Sequence, residues 1–306
     1  MKIGFILPLG EDTDLGRAPS WGEIRALAEQ AEAGGLDSVW VYDHLLYRLP
    51  DHPTTVGVHE CWSVLSALAG VTNRVELGTL VMPTGWRNPA LLAKMAATVD
   101  EISGGRLILG LGTGFHEPEF AAFGYPFDHR VDRFEEELQI ITSLLRENKV
   151  DFHGTYHTIP NGELAPPITR EGGIPVLVAC RGKRMLRLTA RHADAWNTAW
   201  YGSADAIAAS RAEFEAACTE VGRDPSTVEI TVGVHLAPPD AEFETPPDPA
   251  KLLTGTPEEV AGALHAYRSD GVHHIICGAL AHTTYDYTTR TIAHLATALE
   301  VYHSMS

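Results

Sequence analysis

Eight short apolar runs alternate with eight helical patterns along 306 residues, which predicts an α/β fold, a (β/α)8 TIM barrel with loop insertions. The count of eight and eight favours a closed barrel over an open sheet. Residues 107–111 lack the apolar/polar alternation of a half-exposed strand, as a parallel strand covered on both faces does. The length also lies near the roughly 250 residues typical of such a barrel, so one domain spanning residues 1–306 is expected. Hydrophobic residues at 44% and charged residues at 21% supply a large core and exclude a disordered chain.

Residues 2–7 form the first strand, and Trp21, Ile24, Leu27, Ala28 and Ala31 draw one apolar stripe on the helix stopped by Gly34-Gly35. Residues 38–41 form the second strand and deliver Tyr42, Asp43 and His44 at its carboxyl end. A loop with Pro50 and Pro53 leads to a short helix near residues 60–70. Residues 75–81 make the third strand around Gly78, a mid-strand glycine of the kind that marks a bulge or a close backbone approach. Asn88 then caps a helix opened by Pro89, with Leu91, Leu92, Met95, Ala96, Val99 and Ile102 on one buried face. Residues 107–111 are the fourth strand, running into Gly110, Gly112 and Gly114.

A polar and aromatic loop through Pro126 precedes a long helix over 131–145, marked by Phe134, Leu138, Ile141 and Leu145, and a small hairpin over 151–160. Residues 175–179 are strand five, followed by residues 180–184 (CRGKR) and a helix through His192. Residues 195–198 and 229–234 are strands six and seven, with a helix outlined by Ile207, Phe214, Cys218 and Val221 between them. The Pro- and acid-rich segment 238–249 reads as a flexible surface excursion without chemistry. Thr256-Pro257-Glu258-Glu259 is a capping box, and Val260, Ala261, Leu264 and Tyr267 continue its helix. Strand eight (274–277) and a helix over about 286–302 close the count.

A formal charge of −17 disfavours nucleic acid and anionic membranes as partners. Against it, Arg181, Lys183, Arg184, Arg187 and Arg191 form a cationic segment with no acidic residue among them, where an anionic ligand is to be sought or a solvated helix face lies. Cys61, Cys180, Cys218 and Cys277 lie far apart without CxxC spacing, so scattered reduced thiols are expected. No secretory core and no stretch of eighteen apolar residues occurs, so the expectation is a cytoplasmic protein acting on a small molecule.

Barrel chemistry sits where strands end, which ranks Asp43 and His44 first. His44 can take or give a proton near neutral pH with the adjacent carboxylate orienting it; a loop histidine capping a strand end is the plain alternative. Fifteen histidines, among them His52, invite a metal-dependent barrel hydrolase as a rival class. The first strand ends in Ile6-Leu7-Pro8 without a ligand, however, and neither HExxH nor GxSxG is present. Gly78 and Gly112 let a flat ring approach the backbone, or serve tight packing. Arg181, Gly182, Lys183 and Arg184, following strand five and opening a helix, form a phosphate seat or a solvated basic turn.

Four segments in order resemble the luciferase-like monooxygenase superfamily of flavin- and deazaflavin-dependent barrels: SVWVYDHL (38–45), RNPALLAKMAATVDEISGGRLILGLGTGF (87–115), IPVLVACRGKRMLRLTARHADAWN (174–197) and GTPEEVAGAL (255–264). The resemblance implies an oxidoreductase in which the backbone of Gly78, Thr79, Leu80 and Val81 forms a bulge, often with a non-proline cis peptide, beneath a bent tricyclic ring. It implies His44 as acid or base beside the transferred hydride, with Asp43 as its pair, and Arg181 to Arg184 at the cofactor phosphate. It also implies a homodimer. Coenzyme F420 with hydride transfer is the favoured reading, FMN with oxygen insertion the alternative, and a non-catalytic flavin carrier a rival class. Two departures stand out. Cys180-Arg181 replaces the usual Gly-Gly pair, and Phe115-His116 stands where relatives carry Trp-Asn or a catalytic acid. Trp62, Trp86, Phe115 and Phe123 are the candidates for an apolar substrate pocket, or for the core.

Overall fold

The computed structural model describes residues 1–12, 15–48, 54–243, 247–279 and 284–305; Pro50, His52 and Pro53 lie outside them, as do residues 244–246 of the acidic segment. Eight parallel strands close on themselves: β1 (Lys2–Ile6), β2 (Ser38–Val41), β3 (Glu76–Thr79), β4 (Leu107–Gly112), β5 (Val176–Ala179), β6 (Ala195–Ala199), β7 (Glu229–Leu236) and β8 (His274–Ala279). Each pairs with its neighbours in sequence, β8 with β1, and β4 with β5, so no edge is left open. Around the barrel run α1 (Trp21–Ala33), α2 (Cys61–Ala69), α3 (Pro89–Ser103), α4 (Glu117–Phe123), α5 (Arg130–Glu147), α6 (Lys183–His192), α7 (Ala208–Val221), α8 (Pro257–Ser269) and α9 (Tyr285–Ser304). Among the described residues no helix is long and apolar enough to cross a membrane.

The caps act as the residue types dictate. Ser20 and Glu23 close a capping box on α1, Thr256 and Glu259 close one on α8, and Asn88 accepts from Ala90 and Leu91 at the start of α3. The buried sides of α3 and α5 carry Leu92, Ala96, Val99, Phe134, Leu138 and Ile141.

Inside the barrel, Trp40 fills the floor. Its indole N–H donates to Ser38 Oγ at 2.7 Å, and that hydroxyl bonds His274 Nε2 at 2.7 Å. Ser38 has accepted one proton and so offers its own to the imidazole, which fits a neutral ring. Burial holds His274 down at about 3. Gly4 and Gly78 make the space for this indole: a Cβ on Gly4 would stand 2.7 Å from Trp40 Nε1, and one on Gly78 only 2.1 Å from the six-membered ring.

Several expectations are corrected. Gly78 serves Trp40, its register partner on β2, and leaves no free space for a ligand on that side. The expected loop through Pro126 contains α4, where Pro118 sits in the first turn. The buried face of α3 is turned from the expected stripe, leaving Leu91 and Ile102 more than half exposed, because the helix packs on α2 and α5 as well as on β4. Trp21 is exposed at the start of α1. The hairpin pairs Lys149–His153 with Thr158–Glu163, longer than expected. Beyond the 238–249 segment, a short strand unforeseen from sequence, Leu252–Leu253, pairs with His235 and Leu236 and returns the chain to the barrel mouth.

Candidate active site

The site is built on an irregularity in β3. Leu77 and Gly78 pair with Leu107 and Ile108, and pairing resumes with Met82 opposite Leu111 and Pro83 opposite Gly112. Residues 79–81 therefore oppose only residues 109–110, a bulge of one residue. Thr79 holds the gap together: its hydroxyl donates to the Gly110 carbonyl at 2.8 Å and accepts from the Gly110 N–H at 2.9 Å. The Leu80 N–H donates to the Val41 carbonyl at 2.8 Å, keeping the bulged segment on β2. The Leu80–Val81 peptide is cis, the form that the resemblance implies here.

Above the bulge, at the carboxyl ends of the strands, lies a cavity of about 750 Å³, a size suited to a cofactor and a small substrate. Leu80 and Val81 line one side, with Gly112 on the wall beside them; a Cβ there would meet Val81 Cγ2 at 2.7 Å, so the glycine makes room for the Val81 side chain. Asp43 and His44 enter from the end of β2, Thr113 and Phe115 from the end of β4, and Cys180 and Arg181 from the end of β5. Asn197 and Trp200 from the end of β6, together with Lys251, join the lining.

His44 Nδ1 lies 3.0 and 3.2 Å from the two carboxylate oxygens of Glu119 on α4, which also accept the Leu45 N–H at 2.9 Å. Glu119 is fully buried. The His44 ring rests on Tyr47, with centroids 4.3 Å apart, and meets Phe115 edge-on at 5.5 Å. Burial pushes the Tyr47 phenol up, with the neighbouring Tyr42 and Glu119 adding to it. Asp43 does not pair with His44 as expected. Its carboxylate is buried and takes the Arg87 guanidinium at 2.5 Å, and Arg87 reaches on to Glu60 at 2.6 Å. Burial pushes the Asp43 carboxyl up, and Arg87 works against that push.

Of the candidates from sequence, the structure brings Asp43, His44, Leu80, Val81, Gly112, Phe115 and Arg181 to one cavity. Gly78 and Thr79 lie beneath it, in the strand. Gly182 and Lys183 open α6 beside Arg181 and are exposed. Arg184 is turned away: its guanidinium pairs with Asp132 at 2.5 Å and Glu135 at 2.6 Å on α5. Trp62 and Trp86 are buried outside the lining, Trp86 against Phe120 and Tyr125, and Phe123 is exposed on α4. Sequence reasoning missed Glu119, Arg87, Asn197, Trp200 and Lys251. The rule that strand ends carry chemistry, applied to β6, singles out Asn197 and Trp200; nothing in the pattern points to Glu119, 75 residues from His44.

The donor set suits a flat ring with an anionic tail. Gly112 and apolar Leu80, Val81 and Trp200 offer a surface for the ring, while Arg181 and Lys251 give cations at the rim. Among the described residues no three His, Cys, Asp or Glu side chains gather as a metal site.

The luciferase-like monooxygenase family model matches residues 1–244. The chain belongs to that family. It is 32% identical over 263 residues to an F420-dependent glucose-6-phosphate dehydrogenase of Kineococcus radiotolerans, covering 82% of this chain and 72% of that one. It is also 32% identical over 245 residues to a phthiodiolone/phenolphthiodiolone dimycocerosates ketoreductase of Mycobacterium tuberculosis, covering 74% of this chain but 63% of that one. The monooxygenase RslO1 from Streptomyces bottropensis superposes with a TM-score of 0.78 at 23% identity, over 99% of this chain and 100% of that one, a likeness of fold. As a luciferase-like family member the chain belongs to an enzyme superfamily of oxidoreductases and monooxygenases that use F420 or FMN.

Proposed function

We propose that this family member is an F420-dependent oxidoreductase that moves a hydride between the cofactor and a carbinol or carbonyl carbon of an organic substrate. The observation that carries the reading is His44 on the wall of the same cavity as the Leu80–Val81 bulge, with its second ring nitrogen left without a hydrogen bond among the described residues. The names of the two curated relatives, a ketoreductase and an F420-dependent dehydrogenase, support this substrate class and cofactor.

When bound, the deazaflavin supplies or accepts a hydride at its C5. The protein does the rest. Leu80 and Val81 support the ring, and Arg181 with the exposed start of α6 and Lys183 holds the phosphate. Trp200 and the exposed Phe115 give the substrate side of the cavity an apolar border. His44 takes the hydroxyl proton in the oxidative direction and returns it in the reductive one, a contribution on the order of 10²–10⁴ in rate. Phe115-His116 stands where relatives carry a catalytic acid, so the proton transfer is assigned to His44.

Titrating the protein with F420 and, separately, with FMN, followed by fluorescence, tests the reading. Binding of F420 alone, weakened in Arg181→Ala, is expected. Binding of FMN alone moves the reading to oxygen insertion, and binding of neither at tens of micromolar, about −6 kcal/mol, overturns it.

A further inference from the structure

We infer that Glu119 is a positioning residue that locks His44 in its Nδ1–H tautomer, so that Nε2 faces the chemistry as a bare proton acceptor. The inference rests on the role proposed for His44.

Two donors converge on one buried carboxylate. The Leu45 N–H fixes Glu119 Oε2 at 2.9 Å, and His44 Nδ1 sits 3.0 Å from Oε1 and 3.2 Å from Oε2. A carboxylate only accepts, so the ring nitrogen facing it carries the hydrogen in the neutral imidazole. That leaves the Nε2 lone pair free, the state needed to receive a hydroxyl proton. Tyr47 beneath the ring and Phe115 at its edge oppose the rotation that would exchange the two nitrogens. The adjacent Asp43 cannot substitute, because Arg87 occupies its carboxylate.

Glu119→Gln tests this with almost no change of shape. The Leu45 N–H needs an acceptor, so the new carboxamide turns its oxygen there and its NH2 group towards His44 Nδ1. The substitution thus converts an acceptor into a donor and drives the ring to the Nε2–H tautomer. The measurement is a two-bond nitrogen–proton correlation spectrum of isotope-labelled histidine in the cofactor-free protein, with the His44 signals assigned by their loss in His44→Gln. The wild type is expected to show Nδ1–H and Glu119→Gln to show Nε2–H. F420-linked turnover is expected to fall about a hundredfold while F420 affinity stays within about threefold. An Nε2–H ring in the wild type overturns the inference by itself, whether or not the variant folds. So does an unchanged tautomer in a folded Glu119→Gln. A His44→Ala protein with full turnover would instead remove His44 from the chemistry while the tautomer lock, read from the spectra, stood.

Discussion

The two ends of the barrel each hold a histidine, and the difference between them separates stability from chemistry. At the floor, His274 is enclosed, its Nε2 met by Ser38 and its ring against Trp40, and burial holds it down at about 3. At the mouth, His44 has one nitrogen held by Glu119 and the other open on a cavity. A buried relay from Trp40 through Ser38 to His274 fixes the interior. A half-satisfied ring at the strand ends is available to a ligand. The glycines divide along the same line by the neighbour they admit, since Gly78 makes room for Trp40 at the floor and Gly112 for Val81 at the mouth.

Changes at the floor should cost stability and leave ligand binding alone. Trp40→Ala is expected to lose about 3–5 kcal/mol in denaturant unfolding, and a loss below about 1 kcal/mol would break the contrast. His274 gives the floor an acid limit. Its folded value of about 3 lies below an unfolded value near 6.5, so the unfolded chain binds the extra proton between them. The stabilisation is complete above pH ~6.5 and is lost as pH falls towards ~3. Unfolding midpoints should therefore drop on acidification below pH ~6.5, and His274→Asn should flatten that limb.

Between the two ends, Arg87→Met leaves the buried Asp43 carboxylate without its cation, at a cost of about 3 kcal/mol. The double variant with Asp43→Asn should recover part of it in the same unfolding assay. Smaller effects sharpen the mouth. Arg181→Ala is expected to weaken F420 binding about tenfold, near 1.4 kcal/mol. Arg184→Ala, which loses exposed pairs to Asp132 and Glu135, should cost under about 1 kcal/mol of stability and leave affinity within twofold. Equal losses of affinity for the two arginines would restore the phosphate seat to the whole 181–184 segment.

Local pattern carried the barrel. Fully buried parallel strands such as residues 107–111 lack alternation, and capping residues such as Asn88 and Thr256 mark helix starts. It carried His44 and Arg181 too, because a strand end is a local feature. What it missed depends on distant partners. A mid-strand glycine says only that something comes close, and only the β2–β3 register identifies Trp40 as that neighbour of Gly78. Glu119 lies on a seven-residue helix too short for periodicity to reveal. Lys251 reaches the mouth only because Leu252–Leu253 pairs with the end of β7.

Amide hydrogen exchange with and without saturating F420 tests the central claim most directly. Protection is expected in the peptides covering residues 79–83, 112–115 and 179–183 at the mouth, with the floor strands around residues 2–6 and 274–277 unchanged. Protection confined to the floor or to the outer helices, or protection by FMN and none by F420, would contradict the account.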